Sequence, residues 1–211
     1  MRDLVARLRG RLLILMVRFF RRNVVIGEGL RIYKGFRLFG NGRVRIGRNC
    51  LIDGIRGDSS QYVCLDTHGP DAEIIIGDNA RLFAARIVAR YQISIGNNVL
   101  IEEAGIVDTD FHSIERSREN PVNENRATCN IRIGNGVCIG ARSYVTKGVT
   151  IGDDVIIAPG SIVTNSLPSG SFAFGNPARR QAPPLRSDGL SEAKSASVVI
   201  DIGRREQEAQ R

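Results

Sequence analysis

The sequence predicts an all-β fold, a parallel β-helix wound from hexapeptides. Two observations predict it. An aliphatic residue recurs every six residues through most of the chain, and Gly, Asn and Asp cluster between those positions. The cleanest run is Ile133, Ile139, Val145, Ile151, Ile157 and Val163, with no slip in register. Earlier runs are Ile26, Ile32, Leu38; Ile46, Ile52; Ile76, Leu82, Val88; and Ile95, Ile101, Val107. This period is neither the helical one of about 3.6 nor the strand period of about 2. It is three strand alternations closed by a forced turn, the signature of hexapeptide solenoids. Three hexapeptides close a triangular coil, and coils stack at about 4.8 Å. The arithmetic leaves room for about eight coils.

Each element follows from local composition. Residues 1–22 read as a short amphipathic basic helix, in which Arg2, Arg7, Arg9, Arg11, Arg18, Arg21 and Arg22 face a single acid, Asp3. Two roles fit it. One is a membrane-surface helix, with Leu and Phe on one face and Arg on the other. The other is a cap over the open end of the solenoid. A cap would pack Leu12, Leu13, Leu15, Phe19 and Phe20 around Ile26 and Ile32. The apolar stretch Leu12–Phe20 is too short to span a bilayer and is broken by Arg18. No small-residue cleavage site follows it.

Residues 23–181 read as the solenoid domain. Ile and Val suit pleated strands. Corner triplets such as Gly96-Asn97-Asn98, Gly134-Asn135-Gly136 and Gly152-Asp153-Asp154 tolerate positive φ. Between residues 53 and 73 the phase puts Asp58 and Pro70 where aliphatic residues belong, which predicts distorted coils or small loops. A one-residue slip is expected between Val88 and Ile95. The largest interruption is the loop 108–130, which holds His112. Loops on rigid scaffolds commonly carry function. Residues 182–211 are polar and read as an extended C-terminal tail, with Val198–Ile202 suited to a short strand.

Composition narrows the chemistry. The net charge is +8, but no nucleic-acid module accompanies it, so no nucleic-acid partner is expected. Cys50, Cys64, Cys129 and Cys138 form no CxxC pair and read as reduced thiols of a cytoplasmic protein. His68 and His112 are the two histidines of the chain, too few for a three-histidine zinc site, and no metal is expected. His68 carries no motif and reads as a surface loop residue.

Three segments carry a resemblance. They are Ile106–Ser113, Ile131–Ala141, and Gly148–Asp153 continuing through Gly160–Thr164 to Gly175-Asn176-Pro177-Ala178. In order and spacing they resemble the hexapeptide-repeat acyltransferases, specifically the sugar O-acetyltransferase branch. The resemblance implies left-handed winding, an exception to the usual right-handed crossover. It implies a homotrimer with acetyl-CoA in the groove between subunits. His112 falls at the general-base position, and a base near neutral pKa suits deprotonation of a sugar hydroxyl. The resemblance places an oxyanion donor at Ala141. It carries the coenzyme A groove onto Cys138, Ala141, Pro159 and Thr164, and a phosphate contact onto Arg179 or Arg180. Asp108 and Asp110 fall on the acceptor side.

Two departures stand out. Many members have Trp where this chain has Cys138, which reads as a small apolar filler. The galactoside and maltose enzymes carry Asn and Asp where this chain has Leu82, Ala89 and Arg90, which argues against those acceptors. Arg86 and Arg90 instead suit an anionic or lipid-linked sugar, as in surface polysaccharide biosynthesis. That acceptor would agree with peripheral membrane contact through residues 1–22. The alternatives are a non-catalytic β-solenoid scaffold and an acyltransferase acting on a non-sugar small molecule.

Overall fold

The computed structural model describes residues 1–55, 61–110 and 124–182. The chain forms a left-handed parallel β-helix entered through one helix, α1 (Arg2–Phe20). The first coil is β1 (Val24–Ile26), β2 (Arg31–Ile32) and β3 (Phe36–Gly40); the second is β4 (Arg43–Ile46), β5 (Leu51–Asp53) and β6 (Val63–Thr67). The third is β7 (Glu73–Ile76), β8 (Arg81–Phe83) and β9 (Arg86–Ala89); the fourth is β10 (Gln92–Ile95), β11 (Leu100–Glu102) and β12 (Gly105–Val107). After a short helix, α2 (Arg126–Cys129), come β13 (Ile131–Ile133), β14 (Cys138–Ile139) and β15 (Tyr144–Val145), then β16 (Thr150–Ile151), β17 (Ile156–Ile157) and β18 (Ile162–Val163). β19 (Phe172–Gly175) begins a seventh coil, and β20 (Ala178–Gln181) folds back antiparallel upon it.

Stacked coils give three parallel sheets. The first is β1-β4-β7-β10-β13-β16, the second β2-β5-β8-β11-β14-β17-β19-β20, and the third runs from β3 to β18. Six coils are complete, not eight, because loops consume chain that the arithmetic assigned to rungs. Inward side chains stack rung on rung, as in Ile46, Ile76, Ile95, Ile133 and Ile151 of the first sheet. Ile52, Ile101, Ile139 and Val145 are fully buried.

The third sheet departs from the expected phase. Ile87 and Ile106 point inward and are fully buried, where the six-residue phase assigns Val88 and Val107. The corner between the second and third sheets is one residue tighter there, with Ala84 and Glu103 at φ of 47° and 42°. The phase therefore slips twice: five residues separate the inward Leu82 and Ile87, and eight separate Ile87 from Ile95, so the expected one-residue slip is the net of the two. Pro70 is exposed on a turn, and Leu65 fills the inward rung between Leu38 and Ile87. Asp58 lies outside the described residues.

The corner between the first and second sheets explains its Gly-Asx pairs. A Cβ on Gly96 or Gly134 would meet the backbone of the next coil at 2.7 Å. The following Asx then bonds to the coil below. Asn97 Oδ1 accepts the Asp78 amide at 2.7 Å, Asn135 Oδ1 that of Asn97 at 2.9 Å, and Asp153 Oδ1 that of Asn135 at 2.6 Å. Each corner thus satisfies the amide that tight stacking would otherwise strand.

Helix α1 lies across the first coil. Ala6, Gly10 and Val17 are buried, and Leu13 and Ile14 pack against the core. Gly10 is required, since a Cβ there would overlap the Leu30 carbonyl. Arg21 donates to the Leu38 and Gly40 carbonyls and ties the helix end to β3. Capping is thus one role of α1. Of the apolar side chains expected to pack there, Leu13 does so, whereas Leu12, Leu15, Phe19 and Phe20 are exposed.

Candidate functional site

The long loop leaves the solenoid after β12 and returns through α2. Residues 111–123, His112 among them, lie outside the described residues. The two ends flanking them are pinned. Asp108 is fully buried, and its carboxylate oxygens accept the Arg90 and Tyr91 amides at 2.7 and 2.9 Å. Burial pushes its pKa up, against the pull of those bonds. Both oxygens are spent on backbone, so Asp108, expected among the substrate-binding residues, holds the corner instead.

Asp110 belongs to a charged cluster. Lys147, just after β15, donates to Asp110 Oδ2 and to Glu124 Oε1, each at 2.6 Å. Glu124 also accepts the Thr109 hydroxyl at 2.6 Å and the Asp110 amide at 2.9 Å. Its side chain is 3% exposed. Burial acts to raise the Glu124 pKa, but Lys147, Thr109 and the Asp110 amide outweigh it and hold the carboxyl below its ordinary value. Burial acts to lower the Lys147 pKa, and the two carboxylates drive it above the ordinary lysine value. On the return side, Asn125 caps α2 by accepting the Thr128 amide at 3.2 Å. Arg126 reaches the buried Glu73 at 3.6 Å, anchoring α2 to the third coil.

An open groove of about 540 Å³ runs beside this base, lined by His68, Asp71, Arg90, Tyr91, Glu124 and Arg126 among others. Arg90 therefore joins the loop base. Arg86 does not; it stands at the other end of β9, its guanidinium 5.9 Å from the Tyr62 ring centroid. Leu82 and Ala89 are buried inside the solenoid. Their apolar character is set by the core, so it carries no information about the acceptor.

The residues expected to hold coenzyme A lie mostly on the second sheet and at its corner with the third, with Thr164 apart from them. Cys138 lies outward on the second sheet, in a ladder with Leu100 and Ile156, and burial raises its thiol pKa. Ala141 and Pro159 stack at the corner between the second and third sheets, where a Cβ on Gly140 would meet Pro159 at 2.7 Å. No acceptor among the described residues pairs with the Ala141 amide, while its carbonyl accepts the Gly160 amide at 2.8 Å. Thr164 is exposed beyond the opposite edge of the third sheet, just after β18. Arg179 and Arg180 are exposed on β20.

His68, read from the sequence as a surface loop residue, lines the groove, and Lys147 and Glu124 were not singled out by sequence reasoning. Their signal was weak: one lysine at a coil corner and one acid among many in a polar loop. Their pairing spans 37 residues for Asp110 and 23 for Glu124, and coil register alone brings them together.

Comparisons with known proteins agree with this architecture. Residues 130–165 match the bacterial transferase hexapeptide (six repeats) family. The chain is 37% identical over 97 residues to galactoside O-acetyltransferase of Escherichia coli (strain K12), covering 46% of this chain and 47% of that protein. It is 43% identical over 44 residues to the dTDP-3-amino-3,6-dideoxy-alpha-D-galactopyranose 3-N-acetyltransferase of Aneurinibacillus thermoaerophilus, covering 21% and 23%. The chain thus spans about half or less of the length of these curated relatives. Among solved structures it resembles AntD, an N-acyltransferase from Bacillus cereus in complex with dTDP and coenzyme A, with a TM-score of 0.56 at 20% identity, covering 77% of this chain and 84% of that one. The chain is a hexapeptide-repeat β-helix whose residues 130–165 match that family, and sugar acetyltransferases are among the proteins it is similar to.

Proposed function

We propose that this protein transfers an acetyl group from acetyl-CoA to a sugar hydroxyl, in surface polysaccharide biosynthesis, as a homotrimer at the cytoplasmic face of a membrane. The observation that carries this reading is the pinned loop base. Asp108, Glu124 and Lys147 fix both ends of the segment that contains His112. Such pinning fixes where that segment leaves and rejoins the scaffold, which favours the positioned base that general-base catalysis requires.

In this reading His112 takes the proton of the acceptor hydroxyl. The alkoxide attacks the thioester carbonyl, and the Ala141 amide donates to the oxyanion. The carbon–sulfur bond then breaks, the thiolate of coenzyme A leaves and the proton passes to it. The outward Leu100, Cys138 and Ile156 ladder offers an apolar wall for the pantetheine arm, and the exposed Arg179 and Arg180 suit its phosphates. Arg90 and Arg126 favour an anionic acceptor in the groove, with Asp110 at its margin. Arg86 is too far along β9 to share that contact and would meet only a long acceptor.

The test is acetyl transfer from labelled acetyl-CoA to a panel of nucleotide sugars and lipid-linked sugars. His112→Ala is expected to lower the rate by about 10²–10⁴-fold while leaving coenzyme A binding intact. Near-normal turnover would remove His112 from the chemistry.

A further inference from the structure

Helix α1 has two apolar stripes, and capping uses one. Ala6, Gly10, Leu13 and Val17 face the solenoid. At about 100° per residue, Leu4, Leu8, Leu12, Leu15 and Phe19 fall on the opposite side. Each of those five is more than half exposed, from 53% for Leu15 to 73% for Phe19. Arg7, Arg11 and Arg18 flank that stripe on one side, and Arg2 and Arg9 on the other. The one acid of the helix, Asp3, is engaged by Arg7 at 2.7 Å and by the Tyr33 hydroxyl at 2.6 Å.

Beneath one flank lies a cleft of about 1070 Å³ between α1 and the second sheet. Arg7 and Arg11 line it from the helix, and Arg31 and Arg81 from the sheet, with Leu15 and Leu51 between them. Arg31, Leu51 and Arg81 are successive outward rungs, which sets the two guanidinium stems roughly 10 Å apart. Glu28 is the one acid lining the cleft. Among the described residues, no carboxylate lies within ion-pairing distance of Arg11, Arg31 or Arg81. Leu15 belongs to both the cleft wall and the exposed stripe.

We infer that this cleft binds the phosphate headgroup of an anionic phospholipid while the outer stripe of α1 lies among the acyl chains. Apolar residues flanked by arginine match the chemistry of a bilayer surface. No helix of the described residues is long and apolar enough to cross a membrane, so the contact proposed is superficial. The inference stands apart from the acyl-transfer reading; it would hold for a protein with no activity.

The test is co-sedimentation of the full-length protein with mixed phosphatidylglycerol–phosphatidylcholine vesicles and with pure phosphatidylcholine vesicles. Binding is expected to the anionic vesicles alone. Arg31→Gln together with Arg81→Gln should weaken it by about fivefold for each arginine. Leu8→Gln with Leu12→Gln should also weaken it. Arg132→Gln, a single charge change on the far coils, should leave it unchanged. All these side chains are partly or fully exposed, and a melting curve verifies the fold of each variant. Four results would overturn the inference. One is equal binding to both vesicle types. Another is a loss of about fivefold in Arg132→Gln, equal to that per arginine in the cleft, which would mean diffuse charge rather than a site. The third is stabilisation by inorganic phosphate, lost in the Arg31 and Arg81 variant, without vesicle binding, which would make the cleft a site for a free anion. A change in oligomeric state for the Leu8 and Leu12 variant, with vesicle binding intact, would assign the stripe to a second copy and equally overturn it.

Discussion

Lys147→Met tests the loop base most directly. Lys147 joins Asp110 and Glu124 at 2.6 Å each, and the Glu124 side chain is 3% exposed. Met preserves much of the volume but removes the ammonium. The Glu124 carboxylate keeps the Thr109 hydroxyl and the Asp110 amide yet loses its counter-charge. Breaking a fully buried pair costs about 3–5 kcal/mol, and Lys147 and Asp110 keep about a third of their exposure. A cost of about 2–3 kcal/mol is therefore expected, a fall in melting temperature of about 4–12 °C for a chain of this size. The sign with pH follows from Glu124. Its folded pKa is held below the unfolded value, so its contribution is present above the unfolded pKa and is lost as pH falls through the folded one. The difference between wild type and variant should be full at pH 7 and shrink below about pH 4. Glu124→Gln combined with Lys147→Met should recover part of the loss, since no buried charge then remains. Thermal unfolding across that range is the assay. An unchanged melting temperature at pH 7, or a deficit that persists at low pH, would refute the reasoning.

Two further outcomes concern the solenoid itself. Ile139→Ala, in a fully buried rung, should cost about 3–4 kcal/mol by denaturant unfolding, as a cavity in a rigid stack relaxes little. Gly134→Ala places a Cβ 2.7 Å from the Gly152 backbone and should lower stability or soluble yield sharply, whereas Gly69→Ala, with nothing within 4 Å, should show only the smaller strain of its φ of 120°.

Much of the fold was legible because the solenoid repeats one local problem. Each rung needs an inward aliphatic residue, and the corner between the first and second sheets takes Gly or Asx at its positive-φ position. The slip in the third sheet was not legible, since Ile87 and Val88 are both aliphatic and either satisfies the period. The corner conformations at Ala84 and Glu103 decide between them, and those residue types do not announce a positive φ. The site divides the same way. The loop and its acids were visible as an interruption of the repeat. That Asp108 faces backbone amides, and that Leu82 and Ala89 face the core, depends on register. The Lys147 contacts depend on which coil lies beside which.

The geometry of the third sheet also bears on assembly. Ala141 stands at its corner with the second sheet, while Asp110 and Lys147 stand at its other edge. Six residues separate Ala141 from Lys147, and turns at both ends keep the span below the roughly 20 Å of a fully extended chain. If His112 is the base and the Ala141 amide the oxyanion donor, as the resemblance implies, the base must reach the acceptor hydroxyl while the amide reaches the oxygen of the thioester carbonyl under attack. On those roles, a base seated close to the pinned loop ends would be served better by the Ala141 amide of a second copy packed edge to edge than by that of its own coil.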